Sequence, residues 1–120
     1  YHRCCAGLSS VPRGDAMTRD LILAEFPDFD WVDDLPDTRA AGLTCMAWHN
    51  DTCPRFETNP AGAGWQLFID YRDPKLSEYG TDGHTLYSIG WVDADGCYDR
   101  DAYTGDDWNE VLRVLAGVTP

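Results

Sequence analysis

The fold is predicted by the stretch WQLFIDYR, residues 65–72, in which large apolar side chains recur at every second position. The apolar positions are Trp65, Leu67, Ile69 and Tyr71. Successive side chains of an extended chain point to opposite sides, so these four form one apolar face of a strand. The turn-forming run NPAGAG, residues 59–64, precedes the stretch, and we therefore expect the strand to begin after it.

A hairpin is expected further along the chain. Residues 86–93 have the composition of a strand, and Asp95-Gly96 is a pair typical of a two-residue type I′ turn. That turn predicts three facing pairs, which are Trp91 with Arg100, Ile89 with Ala102, and Asp93 with Tyr98. Asp99 and Asp101 would then point together toward solvent on the other face, about 7 Å apart.

Two helices are expected, one near each end of the chain. The first runs from Thr18 to Phe26 and ends at Pro27, because a residue that precedes proline is disfavoured in helical geometry. The second has apolar residues at helical spacing, namely Trp108, Val111, Leu112 and Leu115. Thr104 with Asp107 is expected to cap its start, and Gly117 to end it.

Together these elements predict an α+β fold. Residues 44–50 and about 55–58 add a further hairpin, which gives a small antiparallel sheet of about four or five strands. A short helix precedes the sheet, and the C-terminal amphipathic helix is expected to pack on one face of it.

The first residues differ in composition from the remainder. The segment SSVPRG, residues 9–14, resembles a protease-site linker, so residues 1–16 are expected to be a tag or an upstream extension and 17–120 a single domain. The cysteines of that domain are Cys45, Cys53 and Cys97. No charged start followed by an apolar run suggests a secretory signal, so a cytoplasmic location is expected. In such a chain an odd number of cysteines favours reduced, mostly buried thiols over a disulfide framework.

The charge of the chain excludes some ligands. It carries 21 Asp and Glu against 9 Lys and Arg, a formal net charge of −12. Affinity for nucleic acid and for anionic lipid comes largely from Lys and Arg, so neither direct nucleic-acid binding nor membrane binding is expected. No apolar stretch reaches the roughly 20 residues that cross a bilayer.

Most of the aspartates fall in two short stretches, residues 28–37 and 93–107. This clustering predicts an acidic face that engages a basic protein partner, as small acidic inhibitors, immunity proteins and nucleic-acid mimics do. The expected partner-binding residues are Asp95, Asp99, Asp101, Asp106 and Asp107, with Asp30, Asp33 and Asp34 as a second cluster. Solvation of the protein by its surface charge is the alternative.

Metal binding is a second hypothesis. Cys45, His49 and Cys53 are spaced by four residues, but they lack the paired spacing of structural zinc sites. The aspartates between Asp93 and Asp107 resemble a calcium loop, but the EF-hand positions are not matched. No metal and no cofactor is therefore assigned from the sequence.

An enzyme is the third hypothesis and the least favoured. His49 or His84 offers a general base, and Cys45 or Cys53 a nucleophile. The chain has no nucleophile elbow, P-loop or dinucleotide motif, and nothing in it assembles a nucleophile with a base and a charge stabiliser. No catalytic residue is assigned.

Overall fold

The protein is an α+β fold built on a five-stranded antiparallel sheet, as the sequence predicts. The computed structural model describes residues 16–78 and 80–117. The helices are α1 (Ala16–Glu25) and α2 (Trp108–Leu115). The strands are β1 (Thr44–Cys45), β2 (Arg55–Glu57), β3 (Gly64–Ile69), β4 (Tyr87–Val92) and β5 (Tyr98–Gly105). They lie side by side in chain order, so β1 and β5 are the edge strands.

The predicted alternation in β3 places its apolar residues in the core. Leu67 pairs with Phe56 on β2 and with Ile89 on β4, and all three side chains are fully buried. Trp65 pairs with Trp91, and the two rings meet edge to face with centroids 4.9 Å apart. Ile22 of α1 and Val111 of α2 belong to the same buried cluster, so both helices contribute to the core on this face.

The segment between α1 and β1 completes the core. Phe29 and Trp31 stack at 6.2 Å between centroids, and Tyr87 contacts the Trp31 ring. The Trp31 indole N–H donates to the backbone carbonyl of Asp70 at 2.8 Å. The aromatic residues of this acidic segment therefore pack inward.

The opposite face of the sheet, called the open face here, is more polar. Its members follow from the register and are Thr44, Arg55, Glu57, Gly64, Gln66, Phe68, Ser88, Gly90, Val92, Tyr98, Asp101 and Thr104. Gly90 is buried beneath the Tyr98 ring, and a Cβ at this position would lie 2.6 Å from the carbonyl oxygen of Arg100. Only glycine therefore lets the Tyr98 ring cross the strand here.

The turn of the β4–β5 hairpin differs from the prediction. Asp93 N–H donates to the Cys97 carbonyl at 2.9 Å, which leaves a three-residue loop in place of a two-residue turn. The Asp93 carboxylate accepts bonds from the backbone N–H groups of Asp95 and Cys97. Gly96, at φ +81°, is the left-handed residue of the loop. A type I′ turn needs two left-handed residues, whereas this loop uses one and satisfies its amides with a side chain.

The longer loop and two register shifts change the pairing along β5. Trp91 faces Arg100 as predicted, but Ile89 faces Tyr103 and Tyr98 faces Val92. Asp99 and Ala102 have no partner in the register, since β5 has an extra residue at each of these two irregularities. The predicted facing of Ile89 with Ala102 and of Asp93 with Tyr98 is therefore wrong.

The helix ends also correct the sequence analysis. Asp107 alone caps α2 by accepting from the Asn109 N–H at 2.9 Å, whereas Thr104 belongs to β5. The first helix begins at Ala16 and ends at Glu25. The expected tag or extension, residues 1–16, lies outside the described residues except for Ala16. Within the described ranges, neither helix has the length and apolar character required to cross a bilayer.

Candidate functional site

All eight aspartates of the predicted acidic face are solvent-exposed. They do not form one continuous cluster, because β5 separates two groups. Asp95, Asp99 and Asp101 lie at the turn end of the β4–β5 hairpin, which we call the hairpin tip and define as residues 93–101. Asp106 and Asp107 follow the other end of β5, and Asp106 lies roughly 17 Å from Asp101 at the rise of an extended chain.

The aspartates distant from the tip hold the backbone together. Asp106 accepts from the Leu86 N–H at 2.8 Å and thereby ties the end of β5 to the start of β4. Asp107 caps α2. Asp30 accepts from the backbone N–H groups of Arg72 and Asp73, at 2.8 and 2.7 Å. These three carboxylates therefore have a structural role that accounts for their positions.

Asp33 and Asp34 are engaged in surface ion pairs. Asp33 lies 2.9 Å from Arg19 of α1, and Asp34 lies 3.4 Å from Arg72. The Arg72 guanidinium also covers the Trp31 ring, at 4.8 Å from its centroid. Exposed pairs of this kind contribute about 0–1 kcal/mol each, and they partly neutralise the second cluster.

At the hairpin tip the carboxylates make only local contacts. Asp99 pairs with the adjacent Arg100, and Asp101 accepts from the Tyr98 hydroxyl. Burial and the nearby Asp101 carboxylate raise the pKa of Tyr98 to about 12, so this hydroxyl stays protonated as a donor. The Asp95 side chain contacts no partner within the described part of the chain. The three carboxylates are thus available on an exposed edge hairpin.

A cleft of about 440 Å³ opens beside the sheet, at the hairpin end opposite the tip. The sequence analysis did not anticipate it. Its lining residues are Thr52, Cys53, Phe68, Asp70, Asp82, Gly83, His84, Thr85, Leu86, Ser88 and Thr104. The open face supplies Phe68, Ser88 and Thr104, and the connection between β3 and β4 closes the remaining side.

Asp70 and His84 lie at the base of this cleft, with side chains 11% and 10% exposed. The Asp70 carboxylate accepts from the Tyr71 N–H and the Ser77 hydroxyl, both at 2.7 Å. His84 Nε2 lies 2.8 Å from the Tyr71 carbonyl and 3.9 Å from Asp70 Oδ2. Since a carbonyl only accepts, Nε2 of His84 carries a proton.

The cysteine that lines the cleft, Cys53, is not an activated nucleophile. Burial and the negative charge of Asp70 raise the pKa of the Cys53 thiol to about 12, so the reactive thiolate is suppressed. The Ser77 hydroxyl donates to Asp70, so its proton is directed to the carboxylate instead of to the His84 ring.

The residues of the metal and enzyme hypotheses are dispersed. His49 contacts Glu25 at 2.8 Å between Nδ1 and Oε1, and this contact lowers the pKa of the Glu25 carboxyl. Cys53 lines the cleft, whereas Cys45 pairs with Phe56 at the β1 edge. Among residues 16–78 and 80–117, no three His, Cys, Asp or Glu side chains are grouped to hold a metal ion.

Comparison with known proteins gives no match: no family model, curated protein or solved structure is significantly similar to this chain.

Proposed function

We propose that this protein is a small acidic binding protein whose hairpin tip engages a basic protein partner. The observation that supports this proposal is the contrast in how the aspartates are used. Asp95, Asp99 and Asp101 make no bond outside their own hairpin, whereas Asp30, Asp106 and Asp107 each bond distant or helix-capping backbone. The fold does not require the tip carboxylates. We therefore assign them to recognition of a partner.

The form of the tip favours this function. It belongs to an edge strand, and Tyr98 is 50% exposed beside the carboxylates. An aromatic side chain next to negative charge is a common anchor in protein interfaces. With a net charge of −12, the whole molecule also attracts a basic partner and accelerates their encounter.

The described cysteines support a reducing compartment, which extends the proposal to a cytoplasmic protein. Cys53 and Cys97 are free thiols. Cys97 is exposed, and exposed free thiols persist where the medium is reducing.

The test is a capture experiment with the full chain as bait. The variant D95N/D99N/D101N removes three charges at the tip and keeps side-chain shape, including the acceptor for the Tyr98 hydroxyl. We expect the parent to retain a basic protein and to release it near 0.5 M salt, where the Debye length is about 4 Å. The tip variant should retain at least tenfold less of that protein.

A matched control removes the same charge elsewhere. D20N/D28N/E78Q changes three exposed carboxylates that no described hydrogen bond uses. This control should capture the partner within about twofold of the parent, because it keeps the tip carboxylates that contact the partner. It loses as many charges as the tip variant, so a difference between the two variants reports the contacts at the tip and not the long-range field. Equal capture by all three baits, or no salt-released partner, would overturn the proposal in favour of a solvating charge.

A further inference from the structure

The cleft beside Asp70 carries a binding specificity of its own. We propose that it accepts the side chain of an arginine from the basic partner, so that Asp70 receives the guanidinium. This inference rests on the proposed function, since it names how such a partner is anchored. The charge, the hydrogen-bonding capacity and the position of the cleft support it.

The charge of the cleft is negative. Its lining includes the carboxylates of Asp70 and Asp82 and contains neither lysine nor arginine. Asp70 is buried, and the groups that donate to it, a backbone N–H and a hydroxyl, are neutral. Within the described part of the chain, the basic side chain at ion-pair distance from this carboxylate is that of His84, at 3.9 Å. A buried carboxylate with so little compensation is stabilised when a cation arrives.

Asp70 retains capacity for further hydrogen bonds. A carboxylate offers about four acceptor sites, and the two donors from Tyr71 and Ser77 use one site on each oxygen. An arriving donor can therefore bind without breaking these bonds.

The lining favours arginine over lysine. Several acceptors lie in different parts of the wall, including the hydroxyls of Ser88 and Thr104 and the Asp82 carboxylate. A guanidinium presents five N–H donors in a plane and is less strongly hydrated than an ammonium group, so it satisfies dispersed acceptors in a partly buried site. Phe68 supplies an apolar wall for the alkyl part of the side chain or for the face of the guanidinium.

The cleft is also continuous with the acidic hairpin. The pair Ser88 with Thr104 borders the cleft, and the pair Gly90 with Asp101 lies two residues further along β4 on the same face. This step is about 7 Å at the rise of a strand. A basic segment that contacts Asp101 and extends along this face toward Thr104 therefore reaches the cleft within a few residues.

The first test uses N-acetyl-L-arginine methylamide as a probe and follows backbone amide shifts of the full chain by NMR. We expect saturable shifts at Ser88, Thr104 and His84. The citrulline analogue has nearly the same shape without the charge, and it should bind at least fivefold more weakly. Equal binding of the two probes, or shifts confined to residues outside the cleft, would overturn the proposal.

Two variants identify the carboxylates that bind the arginine probe. D70N keeps an oxygen acceptor for the Tyr71 N–H and should weaken the arginine probe at least fivefold. D82N alters an exposed loop side chain, which keeps the test decisive if D70N fails to fold, and it should weaken the probe about twofold or more. Unchanged binding in D82N together with unchanged binding or lost folding in D70N would contradict the assignment.

The tip variant D95N/D99N/D101N separates this proposal from the proposed function. It should bind the arginine probe as the parent does, because these side chains do not line the cleft. Partner capture that is lost in the tip variant but unaffected in D70N would overturn the arginine site and leave the binding function standing. Binding of the arginine probe without capture of any partner would overturn the proposed function and leave the arginine site standing.

Discussion

The two ends of the β4–β5 hairpin carry the same type of residue in different roles. At the tip, Asp99 and Asp101 contact only their near neighbours on β5. At the base, Asp106 joins two strands and Asp107 caps a helix. Acidic residues that look equivalent by composition are therefore divided by their contacts into those that the fold uses and those that it leaves for recognition. The predictions below test that division.

The largest contrast is expected between two thiols, Cys97 at the tip and Cys53 in the cleft. Cys97 is exposed, and Cys53 is 3% exposed with a pKa of about 12. At pH 8 a thiol of that pKa is ionised in about one molecule in ten thousand. Iodoacetamide should label Cys97 at least a hundredfold faster in the native protein, measured by peptide mass mapping. Comparable rates would show that the cleft opens readily.

The same thiol makes stability depend on pH. Burial raises the Cys53 pKa in the folded state, while the unfolded thiol ionises near 8.5. The unfolded state therefore binds fewer protons above pH 8.5, and the free energy of unfolding contributed by this group falls as the pH rises from there toward 12. Urea unfolding across this range should show the fall, and C53A should lessen it. If the free energy of unfolding changes with pH equally in C53A and the parent, groups other than Cys53 cause the dependence.

Asp30 should be the most important of the exposed aspartates for stability. D30A removes the acceptor of two backbone N–H groups, those of Arg72 and Asp73. At about 1 kcal/mol per bond, the free energy of unfolding should fall by about 2 kcal/mol. Chemical denaturation measures it, with D28A as the control, because Asp28 makes no described hydrogen bond. Equal losses in the two variants would contradict the structural role of Asp30.

Asp107 should have a smaller effect on stability. D107A removes the side chain that accepts from the Asn109 N–H at the start of α2. Loss of such a cap costs about 1 kcal/mol, and D107N should restore most of it, since asparagine also caps helices. The measurement is the same denaturation experiment. A loss that asparagine does not restore would indicate that charge, and not capping, is what matters at this position.

The smallest stability effect is expected at the tip itself. D95N/D99N/D101N removes no bond to the rest of the fold and should change the free energy of unfolding by less than about 0.5 kcal/mol. This near-neutrality is what allows the variant to report on binding. A loss of unfolding free energy as large as that of D30A would show that the fold uses the tip carboxylates too. The division between structural and recognition aspartates would then be wrong.

Local patterns predicted most of the elements. The alternation around Leu67 and the helical spacing around Val111 both lead to fully buried side chains. The irregularities of β5 were not predictable in this way, because a three-residue loop and an extra residue at Asp99 depend on hydrogen bonds that composition does not reveal. Asp93 carries the signal in retrospect, since its carboxylate satisfies two loop amides.

The cleft was beyond a sequence argument for a different reason. Cys53, Asp70 and His84 are far apart in the chain, and the pairing of β2 with β3 and the connection between β3 and β4 bring them together. His84 was recognised as a candidate base, but its tautomer depends on the carbonyl of Tyr71. Asp70 directly follows β3, whose pattern indicates only an apolar strand face, and no short motif identifies Asp70 as a site residue. Tertiary contacts therefore decide which polar residues meet.

The central claim is that the tip carboxylates recognise a basic partner. Its most direct test is a titration of the captured partner against the parent, D95N/D99N/D101N and the matched control D20N/D28N/E78Q, repeated at several salt concentrations. The account predicts at least tenfold weaker binding and a shallower dependence of log Kd on log salt for the tip variant alone. The same Kd and the same salt dependence for all three proteins would contradict it.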